Sequence, residues 1–246
     1  MRTLQQLFGS LFLSLSAVAV SQPVTYEVDG KSYEGYYVSP AKNSPVVFIL
    51  HDWNGLDGYE IKRANMLAEQ GYTVFAADLY GKGIRPTELE QKQQLTTALS
   101  KDRAKMRRLI QAAVNTAKAQ GADISNAVMM GYCFGGGAVL EYARSGAEMK
   151  GFVTFHGALR TPEGESYVHT KGSILVFHGS ADTSVTLQDL AQLGTELEQY
   201  HIPHELISYG GAPHAFTVFG TDRYRQDADE KSWQRFLDYL KATLPR

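Results

Sequence analysis

Five consecutive apolar residues, Val46-Val47-Phe48-Ile49-Leu50, follow Pro45 with no polar side chain among them. A strand with one wet face alternates apolar and polar residues. A short unbroken run bounded by turn residues instead needs cover on both faces, as an inner strand of a parallel sheet has. Comparable runs recur at residues 72–77, 127–130, 152–155 and 174–177, and a last strand is expected over His204–Tyr209. Helical periodicity separates them: Ile61, Ala64, Leu67 and Ala68 up to Gly71, a long polar-faced segment over 87–119 in one or two pieces, a helix through Leu140 and Tyr142 to near Gly146, one over 187–200, and a final helix carrying Trp233, Phe236, Leu237 and Leu240. Alternation of this kind predicts an α/β fold, a doubly wound and mostly parallel sheet with helices on both faces and right-handed crossovers. Before it, residues 24–28 and 33–38 flank Asp29-Gly30 and read as a β-hairpin. No linker divides the remainder, so a single domain is expected.

In such sheets ligands bind beyond the carboxyl ends of the strands. A polar or aromatic cluster follows each run: Asp52-Trp53, Asp78-Leu79-Tyr80-Gly81, Cys133, His156, Asp182 and His214. Core packing does not require this. The most telling cluster is Gly131-Tyr132-Cys133-Phe134-Gly135-Gly136-Gly137, where the apolar run meets a cysteine framed by glycines and passes into a helix. It has the form of a nucleophile elbow with cysteine in the place of serine. Gly131 and Gly135 remove the Cβ atoms that would clash around a strained turn, and the N–H groups of the helix start would face the sulfur. The bland alternative is a buried, inert cysteine beside a packing turn.

Cysteine needs a base to make thiolate and a third group to orient that base. His214 lies in the Gly- and Pro-rich loop after the last strand, and Asp182 ends the strand before it. The order nucleophile, acid, histidine is the α/β-hydrolase order. Taken singly, Asp182 could cap a turn with Thr183 and Ser184; the agreement of order, spacing and strand-end position favours catalysis. Of the other histidines, His156 is a candidate substrate contact, His178 is read as orienting the turn before Asp182, and His169, His201 and His204 as surface residues. The charges over 87–119, such as Lys101, Arg103, Lys105, Arg107 and Arg108, alternate with Glu88, Glu90 and Asp102 and read as a solvated helix face.

With Gly131-Tyr132-Cys133-Phe134-Gly135-Gly136, the Gly179-Ser180-Ala181-Asp182 turn, His214-Ala215-Phe216 and Asp78-Leu79-Tyr80-Gly81, the sequence resembles the dienelactone hydrolase family over about residues 33 to 240. The resemblance implies an α/β-hydrolase fold and a Cys133–His214–Asp182 triad acting on esters or lactones through an acyl-enzyme. It also implies an oxyanion hole from the N–H groups of Trp53 and Phe134, and an acidic residue helping to activate the thiol. Asp52 stands at that acidic position, where the dienelactone enzyme has glutamate. That enzyme holds its substrate's carboxylate with arginines, one shortly after the catalytic histidine; Val218 is the matching residue, so a substrate other than dienelactone is expected. Trp53, Tyr80, Tyr132 and Phe134 suggest a partly aromatic pocket, with Tyr80, Tyr132 and His156 as substrate contacts.

Formal charge is −2 and no basic run occurs, so a nucleic-acid partner is not expected. No Cys/His cluster has metal-ligand spacing, and no metal or organic cofactor is expected. The first residues form a signal-peptide layout: Arg2, an uncharged apolar stretch from Leu7 to Val20 weakened as a membrane span by Ser10, Ser14 and Ser16, then small residues and Pro23. Ala17-Val18-Ala19 or Ala19-Val20-Ser21 would be the cleavage site, with 1–21 as leader and 22–246 as the domain. A secreted or periplasmic location follows, with no stable membrane span after cleavage. Cys133 is the sole cysteine, which excludes an internal disulfide. Two further function classes share these features: a non-catalytic small-molecule-binding protein on the same scaffold, and a thiol redox sensor, for which a resolving cysteine is missing. Oligomeric state is not legible.

Overall fold

The computed structural model describes residues 20–245. The hairpin is β1 (Val20–Val28) and β2 (Lys31–Ser39), paired antiparallel across Asp29-Gly30, both with positive φ. Six shorter strands follow: β3 (Val46–Leu50), β4 (Thr73–Ala77), β5 (Ala127–Tyr132), β6 (Gly151–Phe155), β7 (Ser173–Gly179) and β8 (His204–Tyr209). They form one eight-stranded sheet in the order β1-β2-β4-β3-β5-β6-β7-β8, parallel from β4 through β8, with the hairpin antiparallel at one edge. The expected leader lies outside the described residues except for Val20 and Ser21, which pair with Ser39 and Val38. Cleavage after Ser21 would remove both from the sheet.

The apolar runs are buried on both faces, as their composition requires. In β3, Val46, Phe48 and Leu50 enter one core and Val47 and Ile49 the other. The first core is covered by α3 (Arg103–Ala119), α4 (Phe134–Arg144), α5 (Leu187–Gln199) and Leu99 of α2 (Leu89–Lys101); the second by α1 (Gly58–Glu69) and α6 (Gln226–Thr243). The segment 87–119 therefore folds as two helices, broken at Asp102, whose carboxylate caps α3 at Lys105 N–H. Its arginines are not simply solvated: Arg107 donates to the buried Glu141 of α4 at 2.6 Å and to Glu165 at 2.8 Å, and Arg103 pairs with Glu165 at 3.3 Å. These pairs dock α3 on α4. No helix of the described residues is long and apolar enough to cross a membrane.

Candidate active site

The strand ends carry the site. Cys133 joins β5 to α4 with φ +52 and ψ −115, a left-handed backbone that a β-carbon-bearing residue adopts only under constraint. Glycine is required on either side for a reason of space. A Cβ on Gly131 would lie 2.4 Å from the carbonyl carbon and oxygen of Gly135, and one on Gly135 would lie 2.2 Å from Leu50 O. The turn is thus wedged against the end of β3, and Phe134 opens α4 with its N–H unpaired in the helix.

His214 follows β8, in a loop where Ala215 also has positive φ (+63). Its Nδ1 is 2.7 Å from Asp182 Oδ2 and its Nε2 is 3.2 Å from Cys133 Sγ. Asp182 contacts both the imidazole and the turn. One oxygen holds the imidazole, and the other accepts from Ser184 N–H (2.8 Å) and Val185 N–H (2.9 Å), which fixes the carboxylate. Burial opposes charge on His214, but its bonds to Asp182 and Cys133 outweigh it and push its pKa up to about 10. Asp182 is likewise penalised by burial, yet its bonds to His214 and the turn hold it below the usual carboxylate range.

The opposite wall comes from β3 and β4. His51 is fully buried; its Nε2 accepts Leu79 N–H (3.0 Å), so Nδ1 carries the proton and donates to Asp52 O (2.6 Å). This ties the two strand ends together. Buried Glu60, in the capping box of α1, accepts Asp52 N–H (3.1 Å) and Asp57 N–H (3.2 Å). The backbone leading to Trp53 is thereby fixed, and the Trp53 N–H has no hydrogen-bond partner among the described residues. Tyr80 stacks on Phe134 at 5.8 Å and its hydroxyl reaches Trp53 O at 3.4 Å. Lys92 stands over the Trp53 ring, 5.5 Å from its centroid.

Four expectations change. Asp52 does not hydrogen-bond the thiol; its carboxylate accepts Asn54 N–H (2.6 Å) and the Asn54 amide (3.0 Å), a turn that the shorter aspartate arm permits. Burial still pushes Asp52 up to about 6. Tyr132 is not a substrate contact: strand alternation sends it to the α1–α6 core, fully buried against Tyr59 (4.9 Å) and Phe155 (5.1 Å). His156 is equally buried, and its Nε2 lies 2.8 Å from Thr217 Oγ1 rather than facing substrate. His178, also buried, has no hydrogen-bond partner at either ring nitrogen among the described residues and so orients no turn through a bond. His169 and His201 are exposed and His204 half-buried. Sequence reasoning passed over Tyr59, Arg63 and Thr217, because contacts between helix α1 and a loop 154 residues away leave no local pattern.

A family model described as the dienelactone hydrolase family matches residues 33–244. A protein of Escherichia coli K12, provisionally named carboxymethylenebutenolidase, is 24% identical over 86% of this chain and 83% of its own. Among solved structures, one titled m3DLH superposes with a TM-score of 0.86 at 29% identity, covering 92% of this chain and 99% of that one. A dienelactone hydrolase-like promiscuous phosphotriesterase, P91 from metagenomic libraries, gives 0.85 at 27% identity with the same coverage.

Proposed function

We propose, starting from the fact that this chain belongs to the dienelactone hydrolase family and is a hydrolase of ester or lactone bonds, that it works through a cysteine acyl-enzyme. Cys133 is the nucleophile and His214 takes the thiol proton, as the 3.2 Å contact from Nε2 to Sγ supports. The thiolate attacks the substrate carbonyl, and the tetrahedral oxyanion is held by the N–H groups of Trp53 and Phe134. A lost donor of this kind typically costs about 3 kcal/mol of barrier. His214, charged and braced by Asp182, then gives its proton to the leaving alkoxide. Water activated by the same imidazole releases the acid and restores the thiol. In this reading Asp52 lines the site without touching the sulfur.

The single observation that carries the reading is the bond chain Asp182–His214–Cys133, 2.7 and 3.2 Å long, ending on a cysteine with positive φ. Val218 offers no charge to a substrate carboxylate, and Trp53, Tyr80 and Phe134 offer aromatic faces, so the substrate is read as a neutral small ester or lactone. Export to a secreted or periplasmic location is also proposed, from Arg2 and the apolar stretch after it. Cleavage after Ala19 would keep Val20 and Ser21 in their pairing with Ser39 and Val38. The deciding experiment is turnover of a panel of neutral and charged esters and lactones, with one neutral phosphotriester, by wild type and Cys133→Ala. Equal rates in the two proteins would end this reading.

A further inference from the structure

Thr217 lies three residues beyond His214 and is wholly buried. Its hydroxyl stands between two rings, 2.7 Å from the Tyr59 hydroxyl and 2.8 Å from His156 Nε2. Its carbonyl accepts Arg63 Nη2 at 2.9 Å. Arg63 is itself locked: it pairs with Asp229 of α6, and its guanidinium lies 4.2 Å from the Phe219 ring and 4.8 Å from Trp233. Helix α1 therefore grips the loop that carries the catalytic histidine. His156 completes the set, with its ring 5.3 Å from that of His214 at 66° and 5.5 Å from Phe216.

His156 has no solvent exposure and a strained φ of +41, and its Nδ1 has no partner among the described residues. Thr217 is the side-chain hydrogen-bond partner of its Nε2. A protonated Nε2 would donate to Thr217 Oγ1 and a bare Nε2 would accept from it, so the contact holds the ring in either tautomer. His214 has the complementary need. Its bonds to Asp182 and Cys133 lie in the ring plane, so they resist turning within that plane. Tilt about the line joining the two nitrogens is resisted only by what packs on the ring, and His156 packs there.

We propose that Tyr59, Thr217 and His156 form a positioning strut for the cysteine reaction proposed above, on which this inference rests: the Thr217 hydroxyl, anchored by Tyr59, fixes the His156 ring against His214 and so keeps the catalytic imidazole in line with Sγ. Tyr59 and Thr217 are positioning residues that act through His156. Electrostatics reinforces the geometry. His214 becomes a cation when it takes the thiol proton, and a second charge on His156 would oppose that step. Burial, with His214 itself and Arg63 adding to it and Asp182 opposing, holds His156 well below the usual imidazole range and keeps it neutral.

The test uses the full chain and three variants: Thr217→Val, which keeps the shape and removes the hydroxyl; Thr217→Ser, which keeps the hydroxyl; and Tyr59→Phe. Three quantities are read: kcat and KM on an ester turned over by wild type, the rate of Cys133 alkylation by iodoacetamide at pH 7, and thermal unfolding. Thr217→Val should lose at least about tenfold in kcat with KM little changed, and alkylate several-fold more slowly, as misplacement of a catalytic group predicts. Thr217→Ser should return to within about threefold of wild type, and Tyr59→Phe should fall about threefold or more. Wild-type kcat in Thr217→Val, or Thr217→Ser falling as far as Thr217→Val, overturns the strut. Should Thr217→Val not fold, Tyr59→Phe decides alone, and a wild-type rate in it refutes the inference. Absence of ester turnover by wild type would count against the enzymatic reading, while the alkylation rates would still report on the strut.

Discussion

Gly135→Ala tests how the elbow is built. A Cβ at this position would stand 2.2 Å from Leu50 O and 2.5 Å from His51 O, against an ordinary contact of 3.4–4 Å. Both obstacles are backbone of β3's end, so no side chain can swing aside, and α4 and the strand end must separate by about 1 Å. Overpacking of this kind costs about 1–3 kcal/mol, and the rigidity of the obstacle places it at the top of that range. Replacing a helical glycine with alanine returns about 1 kcal/mol. The net loss is about 2 kcal/mol, a fall in Tm of about 4–8 °C for a domain of this size. The functional effect is larger, because the displaced segments carry the N–H groups of Phe134 and Trp53 and the sulfur between them. A misplacement of about 1 Å costs about a hundredfold in rate. Ester kcat and calorimetric Tm are the assays, with Gly137→Ala as control: its Cβ would meet Ala158, at 3.1 Å from the side chain and no nearer than 3.4 Å to the backbone, and its rate should stay within about twofold. Gly135→Ala with wild-type Tm and kcat would refute the wedge between α4 and β3.

Asp182→Asn should retain the fold and lose about 10³–10⁴ in kcat, because an amide cannot stabilise the imidazolium; steady-state kinetics with a thermal melt as control checks it. His214 has a folded-state pKa of about 10, above the ordinary imidazole value, so its contribution to stability is complete below pH 6.5 and is lost as pH rises to about 10. His214→Gln should therefore be most destabilised relative to wild type near pH 6 and converge with it by pH 10, as urea unfolding across that range would show. Asp52 carries the opposite sign. Raised from 3.8 to about 6, it contributes a penalty that is absent below pH 4 and complete above 6. Asp52→Asn should gain up to about 3 kcal/mol over wild type at pH 7 and nothing at pH 4, measured the same way.

The sheet was legible because its signals are local. Val46–Leu50 can be covered only on both faces, and Asp29-Gly30 can turn only as a hairpin. Cys133, Asp182 and His214 were legible for a related reason, since each ends a strand and the topology brings strand ends together. The misread residues all depend on where a side chain points once the chain is packed. Tyr132 sits beside Cys133 in sequence, yet alternation along β5 sends it to the other core. Asp52 lies at the right strand end but bonds Asn54, two residues away, before it can reach the sulfur. His156 reads as a pocket residue until Thr217, 61 residues later, is seen to hold it.

The central claim is that Cys133 becomes covalently acylated. A p-nitrophenyl ester mixed with the protein and acid-quenched within the first turnover should add one acyl group to the intact mass, with peptide mapping placing it on the peptide that contains Cys133. The His214→Gln variant should accumulate far less of this thioester over the same time. Turnover without an adduct on Cys133, or an adduct on another residue, would contradict the account.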